Sequence, residues 1–196
     1  MEDTMTTNAS SQTIPATTTK GNLTQAAKLG ALLGAAASLV MAAFAMMAAA
    51  TYQNSGFFTP LYHIASTFIS PSTLITSMQH AMTGNTFFFS FGPAVLGAMI
   101  HMMIGAMYGV MFAIAAVLLR LRGPVLIGAG AAWGAMVFVI SSFIALPLAA
   151  ALFSSGDQIS QMASKVGYGT FLTEHVLFGL ALGVLLASRR LFARPS

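Results

Sequence analysis

Cysteine is absent from the chain, which removes disulfides, thiolate metal sites and iron–sulfur clusters together and leaves the redox compartment open. Charge is nearly absent too. Asp, Glu, Lys and Arg make up 6% of the 196 residues, where a soluble domain carries about 25%. A chain this poor in charge, 57% hydrophobic and with a mean hydropathy of +0.81, is solvated by lipid. Acids are scarcest, four against eight bases. The bases sit beside apolar runs, where membrane topology accounts for them, so the surplus is no nucleic-acid footprint and no nucleic-acid partner is expected. No Walker loop, dinucleotide fingerprint or zinc-protease helix occurs, and an enzyme is not expected.

What the chain does contain is apolar runs of membrane length. A helix rising 1.5 Å per residue needs about 20 residues to cross a hydrocarbon core of about 30 Å. Four runs qualify, at about 29–50, 93–119, 124–153 and 168–188. The first ends in Ala48-Ala49-Ala50, which resembles a signal-peptidase site, but it is longer than the roughly 7–15 residues of a signal core. It reads as a retained span. Residues 1–24, rich in Thr, Ser and Asn without apolar period, read as a disordered cytoplasmic tail ahead of a transmembrane domain over 25–196. Pro147 predicts a kink or early exit near the end of the third run.

Between the first two runs, residues 51–92 carry no Asp, Glu, Lys or Arg. Thr59-Pro60 and Ser70-Pro71 each place a capping side chain before a proline, predicting two short amphipathic helices on the bilayer surface or capping the bundle. His63 and His80 fall on their polar sides. The run from Gly56 to Pro71 is dense enough to be a signature, without a function attached. A further short helix after Asp157 carries Ile159, Met162 and Val166 on one face.

Seven bases (Lys20, Lys28, Arg120, Arg122, Arg189, Arg190 and Arg194) flank one side of this layout, and Lys165 alone the other. The expectation is a multi-pass protein of the plasma membrane with both termini cytoplasmic.

The stretch Gly97–Ala113, GAMIHMMIGAMYGVMFA, places Gly97, His101, Gly105, Gly109 and Ala113 at four-residue spacing, a stripe of small residues broken by one imidazole. The pattern returns as His175, Gly179, Gly183 and Ala187. The preceding runs echo each other through Gly30, Gly34 and Gly130, Gly134, which predicts a duplicated helix hairpin. The fold class expected is all-α, a bundle of four transmembrane helices roofed by short outer helices, with the two histidine helices meeting along their glycines.

His101 and His175 would then lie at matching depth, about eight residues below the outer surface. A polar side chain there is costly in lipid and faces protein or a cavity. Each histidine either fixes register by an interhelical hydrogen bond, worth about 0.6 kcal/mol on average, or joins a paired site for haem b, a metal ion or a quinone. Glu174, the one acid inside a span, either carries a proton or ligand charge, or reaches headgroups or Lys165. Met99, Met103, Met107 and Met111 form an i,i+4 stripe whose thioethers favour Cu(I), but packing accounts for it more simply. Three functions follow: a membrane subunit or binding protein using His101, His175 and Glu174; a small proton- or metal-coupled transporter; or a structural subunit. Partners are the lipid bilayer and either further copies or a membrane complex.

Overall fold

The computed structural model describes residues 16–193, with side chains from residue 21. Every regular element among them is helical. The helices are α1 (Ala16–Thr51), α2 (Thr59–Ala65), α3 (Ser72–Met82), α4 (Phe91–Leu118), α5 (Pro124–Ile140), α6 (Leu146–Phe153), α7 (Asp157–Ser160), α8 (Met162–Val166) and α9 (Tyr168–Ala187). Four stretches are long and apolar enough to cross a membrane: Gly21–Thr51, Phe91–Leu118, Pro124–Phe153 and Tyr168–Ala187.

Two boundaries correct the sequence reading. The tail expected over 1–24 lies outside the described residues as far as residue 15, but from Ala16 the chain is already helical. Thr and Asn cost only tenths of a kcal/mol each in a helix, and extending an existing helix needs no new nucleus. At 36 residues α1 is about 54 Å long, several turns more than a hydrocarbon core. The third span does not exit early at Pro147. The turn Ser141–Ala145 widens to a π-helix and continues directly into α6. The proline lacks the N–H that would bond the carbonyl four residues back, and the wider turn makes room for its ring.

Glycine decides the pairing of the long helices. α1 runs along α4, and α5 along α9; α1 also touches α9, whereas α4 and α5 barely meet. A Cβ on Gly34 would collide with the Gly105 carbonyl, and one on Gly109 with the Gly30 carbonyl. In the other pair, Cβ atoms on Gly130 and Gly179 would each strike the other's carbonyl, and one on Gly134 the His175 carbonyl. This is close backbone approach of the small-xxx-small kind. The histidine helices therefore do not meet along their glycines. The α4 ridge is filled by α1, the α9 ridge by α5, and α4 and α9 share no packed face. Gly97 continues the α4 stripe but serves another neighbour: its missing Cβ makes room for the Leu61 carbonyl of α2.

Thr59 does not cap α2, whereas Ser70 makes the expected bond ahead of α3, weakly. Thr59 Oγ1 donates to the Ser55 carbonyl and lies 2.8 Å from Ser77 Oγ, while Ser70 Oγ accepts from the Ser72 N–H at 3.4 Å. α2 packs on α4, with Tyr62 fully buried; its hydroxyl accepts from the Ser90 N–H at 2.7 Å and donates to the Phe88 carbonyl at 3.2 Å. Over the other hairpin, Ile159, Met162 and Ala163 are buried against Ala150 and Phe171.

The opposite end is a dry core. Leu126, Leu182, Leu186, Phe112 and Phe192 are buried together, and the Gly123 N–H donates to the Phe192 carbonyl, tying the C-terminal turn to the α4–α5 loop. Met99, Met103, Met107 and Met111 are exposed rather than packed. Flexible thioethers on an outward face suit lipid contact.

Candidate functional site

Because α1 fills one glycine ridge and α5 the other, the histidine-bearing helices are held apart. The gap is a cavity of about 810 Å³. Its deep part is lined by Ser38, His101, Tyr108, Phe171, Glu174, His175 and Phe178, and its roof by Gln53, Thr59, His63, Gln158 and Lys165. Both sequence-singled histidines and Glu174 thus line one cavity, although the packing that was to bring them together is absent.

Hydrogen bonding fixes each imidazole. The His101 Nε2–H donates to the Ser38 carbonyl of α1 at 2.9 Å, and the His175 Nδ1–H to the Phe171 carbonyl of its own helix at 2.7 Å. A carbonyl oxygen only accepts, so the proton of each neutral ring is committed to these nitrogens. His101 Nδ1 and His175 Nε2 are left as bare acceptors without a partner among the described residues. The two rings are within electrostatic range of each other, and Phe138 and Phe171 bracket His175 with ring centroids at 6.1 and 4.5 Å.

Glu174 does not reach headgroups, and it forms no ion pair with Lys165 among the described residues. Its side chain is 5% exposed, inside the cavity, and none of the described residues hydrogen-bonds its carboxyl. Adjacent helix positions point about 100° apart, but the cavity is wide enough for Glu174 and His175 both to line it. His101, His175 and Glu174 do not close into a metal centre: no group of three or more His, Cys, Asp or Glu suited to an ion exists among the described residues.

Sequence reasoning missed several cavity residues. Ser38 and Tyr108 carried no motif, and Ser38 contributes through its backbone carbonyl, which no side-chain pattern reports. Ser141, in the π-turn, also lines the cavity; the sequence offers Ser141 and Ser142 as a nucleophile for His175, without a nucleophile-elbow glycine pattern around them, and the Ser142 hydroxyl is buried without a partner among the described residues. The available signal was Pro147, since a proline inside a span requires the preceding turn to adjust.

His63 joins the two halves of the roof, its Nε2–H donating to the Gln158 carbonyl. Burial pushes its pKa below the usual 6.5; the Gln158 carbonyl opposes that shift, and nearby Lys165 adds to it. A base whose folded value is depressed is stabilising when neutral. Its contribution is complete above pH 6.5 and is lost as pH falls from there through the lower folded value. Thermal unfolding in detergent should therefore show a midpoint that drops from pH 7 to pH 5 more steeply for the native chain than for His63→Gln. Equal slopes would show that His63 does not couple the roof to pH.

No protein-family model, curated protein or solved structure matches this chain.

Proposed function

We propose that this is a four-span membrane protein whose outer-leaflet cavity binds a small ligand with an apolar body and hydrogen-bonding groups, a binding protein or membrane subunit rather than an enzyme. The observation that carries this reading is Glu174: a buried carboxyl without a hydrogen-bond partner among the described residues, beside two imidazoles each presenting a bare nitrogen. Buried polar groups in native proteins are hydrogen-bonded, and an unpaired one costs about 1–3 kcal/mol. Glu174 and the two free imidazole nitrogens face one cavity without a hydrogen bond from the described residues, and an occupant with matching groups would pair with all three.

The base distribution favours cytoplasmic termini and an outward-facing roof in the plasma membrane. The matched ridges, Gly30 and Gly34 against Gly105 and Gly109, then Gly130 and Gly134 against Gly179 and Gly183, favour a duplicated hairpin with the cavity between its copies. The rival, a proton- or metal-coupled carrier using Glu174, is disfavoured by the buried core of Leu126, Leu182, Leu186 and Phe112, which offers no polar path onward from the cavity. Self-association or a membrane partner would use the outer faces, since the glycine ridges are filled within the chain.

Mass spectrometry of organic extracts from the detergent-purified protein is the test. A stoichiometric small molecule should be recovered from the native chain and lost when Ala45, on the cavity wall, is enlarged to Trp. The same extract in both proteins would refute the site. A Soret band abolished in a His101→Ala, His175→Ala double variant would identify the occupant as haem b. Proton-coupled flux in liposomes, lost in Glu174→Gln, would favour the carrier.

A further inference from the structure

We infer that the occupant is a hydroquinone: a flat apolar ring with hydroxyl donors and a tail, entering sideways from the outer leaflet and held in its reduced form. This rests on the binding reading above and narrows it. Three observations converge.

First, His101 spends its one proton on Ser38 and His175 its one proton on Phe171, so both neutral rings offer the cavity acceptors only. A ligand matched to two bare imidazole nitrogens must bring donors. A quinone carries only acceptors and cannot pair with either ring; its two-electron, two-proton reduced form carries two hydroxyls and can pair with both. A chelated cation, the other natural partner of bare imidazoles, needs ligands gathered around one point, and His101, His175 and Glu174 do not make such a cluster. Two acceptors on facing walls suit a molecule that carries two donors. Glu174 adds a carboxyl to the same wall, whose carbonyl oxygen accepts and whose hydroxyl donates when it holds its proton.

Second, the deep walls are aromatic. Phe171, Phe178 and Tyr108 line the cavity beside the polar groups, the surroundings a planar ring packs against.

Third, the cavity has a side facing lipid. Met103, Ile104 and Met107 of α4 line it and keep large exposed areas, 69% for Met103. Across from them the wall is the π-turn and α6, and α4 barely touches α5. The upper lip is Phe68 against Phe153, ring centroids 4.6 Å apart, both half exposed and both lining the cavity. A ligand dissolved in the bilayer reaches the histidines through this slot without crossing the roof, and its tail remains among the methionines and lipid chains.

The test compares three probes of one shape on the full-length protein in nanodiscs, under anaerobic conditions: decylubiquinol, decylubiquinone and the dimethyl ether of decylubiquinol. Two net hydrogen bonds predict that the quinol binds roughly tenfold or more tighter than either of the others. The preference over the ether should shrink severalfold in His101→Leu and in His175→Leu. The native-chain comparison needs no variant and stands even where a variant misfolds. Equal affinity for quinol and ether, or tighter binding of the quinone, overturns the hydroquinone assignment while leaving an apolar binding cavity in place. Failure of all three to bind, with no extractable molecule in the native protein, overturns the cavity reading with it.

Discussion

Replacing Gly109 with leucine is expected to leave no monodisperse folded protein, whereas Gly128→Leu on a neighbouring span is expected to change little. The Cβ alone decides the first outcome. At position 109 it would overlap the Gly30 carbonyl and approach the Gly34 Cα, and both obstacles are backbone, which no rotamer change can clear. The helices would have to part, and the loss would extend along the whole α1–α4 face rather than one site. Overpacking a rigid core costs about 1–3 kcal/mol where side chains can yield; here none can. Gly179→Leu should be equally damaging to the α5–α9 pair, for the same reason. At Gly128 an added Cβ meets nothing within 4 Å. Size-exclusion profiles and thermal melts of the three variants decide the matter, and a folded, native-like Gly109→Leu would mean that α1 and α4 do not pack as described. Because these ridges are filled from within the chain, their enlargement reports on folding and not on the loss of an external partner.

The contrast between ridge and cavity explains how far the sequence could be read. Hydropathy places four spans within two residues of the long helices at every boundary except the start of α1, because lipid demands about 20 apolar residues whatever their neighbours are. The small-residue stripes are equally visible, and both are used for close packing. What a stripe does not carry is the identity of its partner. Gly97 and Gly105 stand on the same α4 stripe, yet one receives α2 and the other α1. Pairing His101 with His175 through their glycines assigned one stripe to the other, when each was already taken by the preceding helix. That both imidazoles nonetheless line one cavity follows from the displacement itself: helices whose ridges are occupied elsewhere leave a gap between them. The backbone carbonyls of Ser38 and Phe171, which set the two ring protons, have no sequence signature at all. Nor does the destination of Glu174, since a carboxylic acid nearly two turns inside a span can turn outward or inward on a single rotamer.

Glu174→Met should make the ligand-free protein more stable and abolish ligand retention, two effects of opposite sign from one substitution. A carboxyl that is 5% exposed and has no hydrogen bond from the described residues burdens the ligand-free fold, because only its cavity-facing edge can be solvated. Methionine has similar length, no polar atom and enough flexibility to fill the space, so its substitution relieves that cost and adds apolar contact with the cavity wall. Relief of about 1–3 kcal/mol corresponds to a rise of roughly 2–12 °C in Tm for a chain of this size. A residue retained for structure behaves in the opposite way: its removal lowers Tm. A residue retained for binding is the usual case in which stability and activity trade against each other. Melting curves of delipidated native and variant protein, with extraction of bound small molecules from parallel undelipidated samples, measure both signs at once. A lower Tm in the variant would return Glu174 to a structural role. A higher Tm with undiminished ligand would show that the occupant is held by the histidines alone.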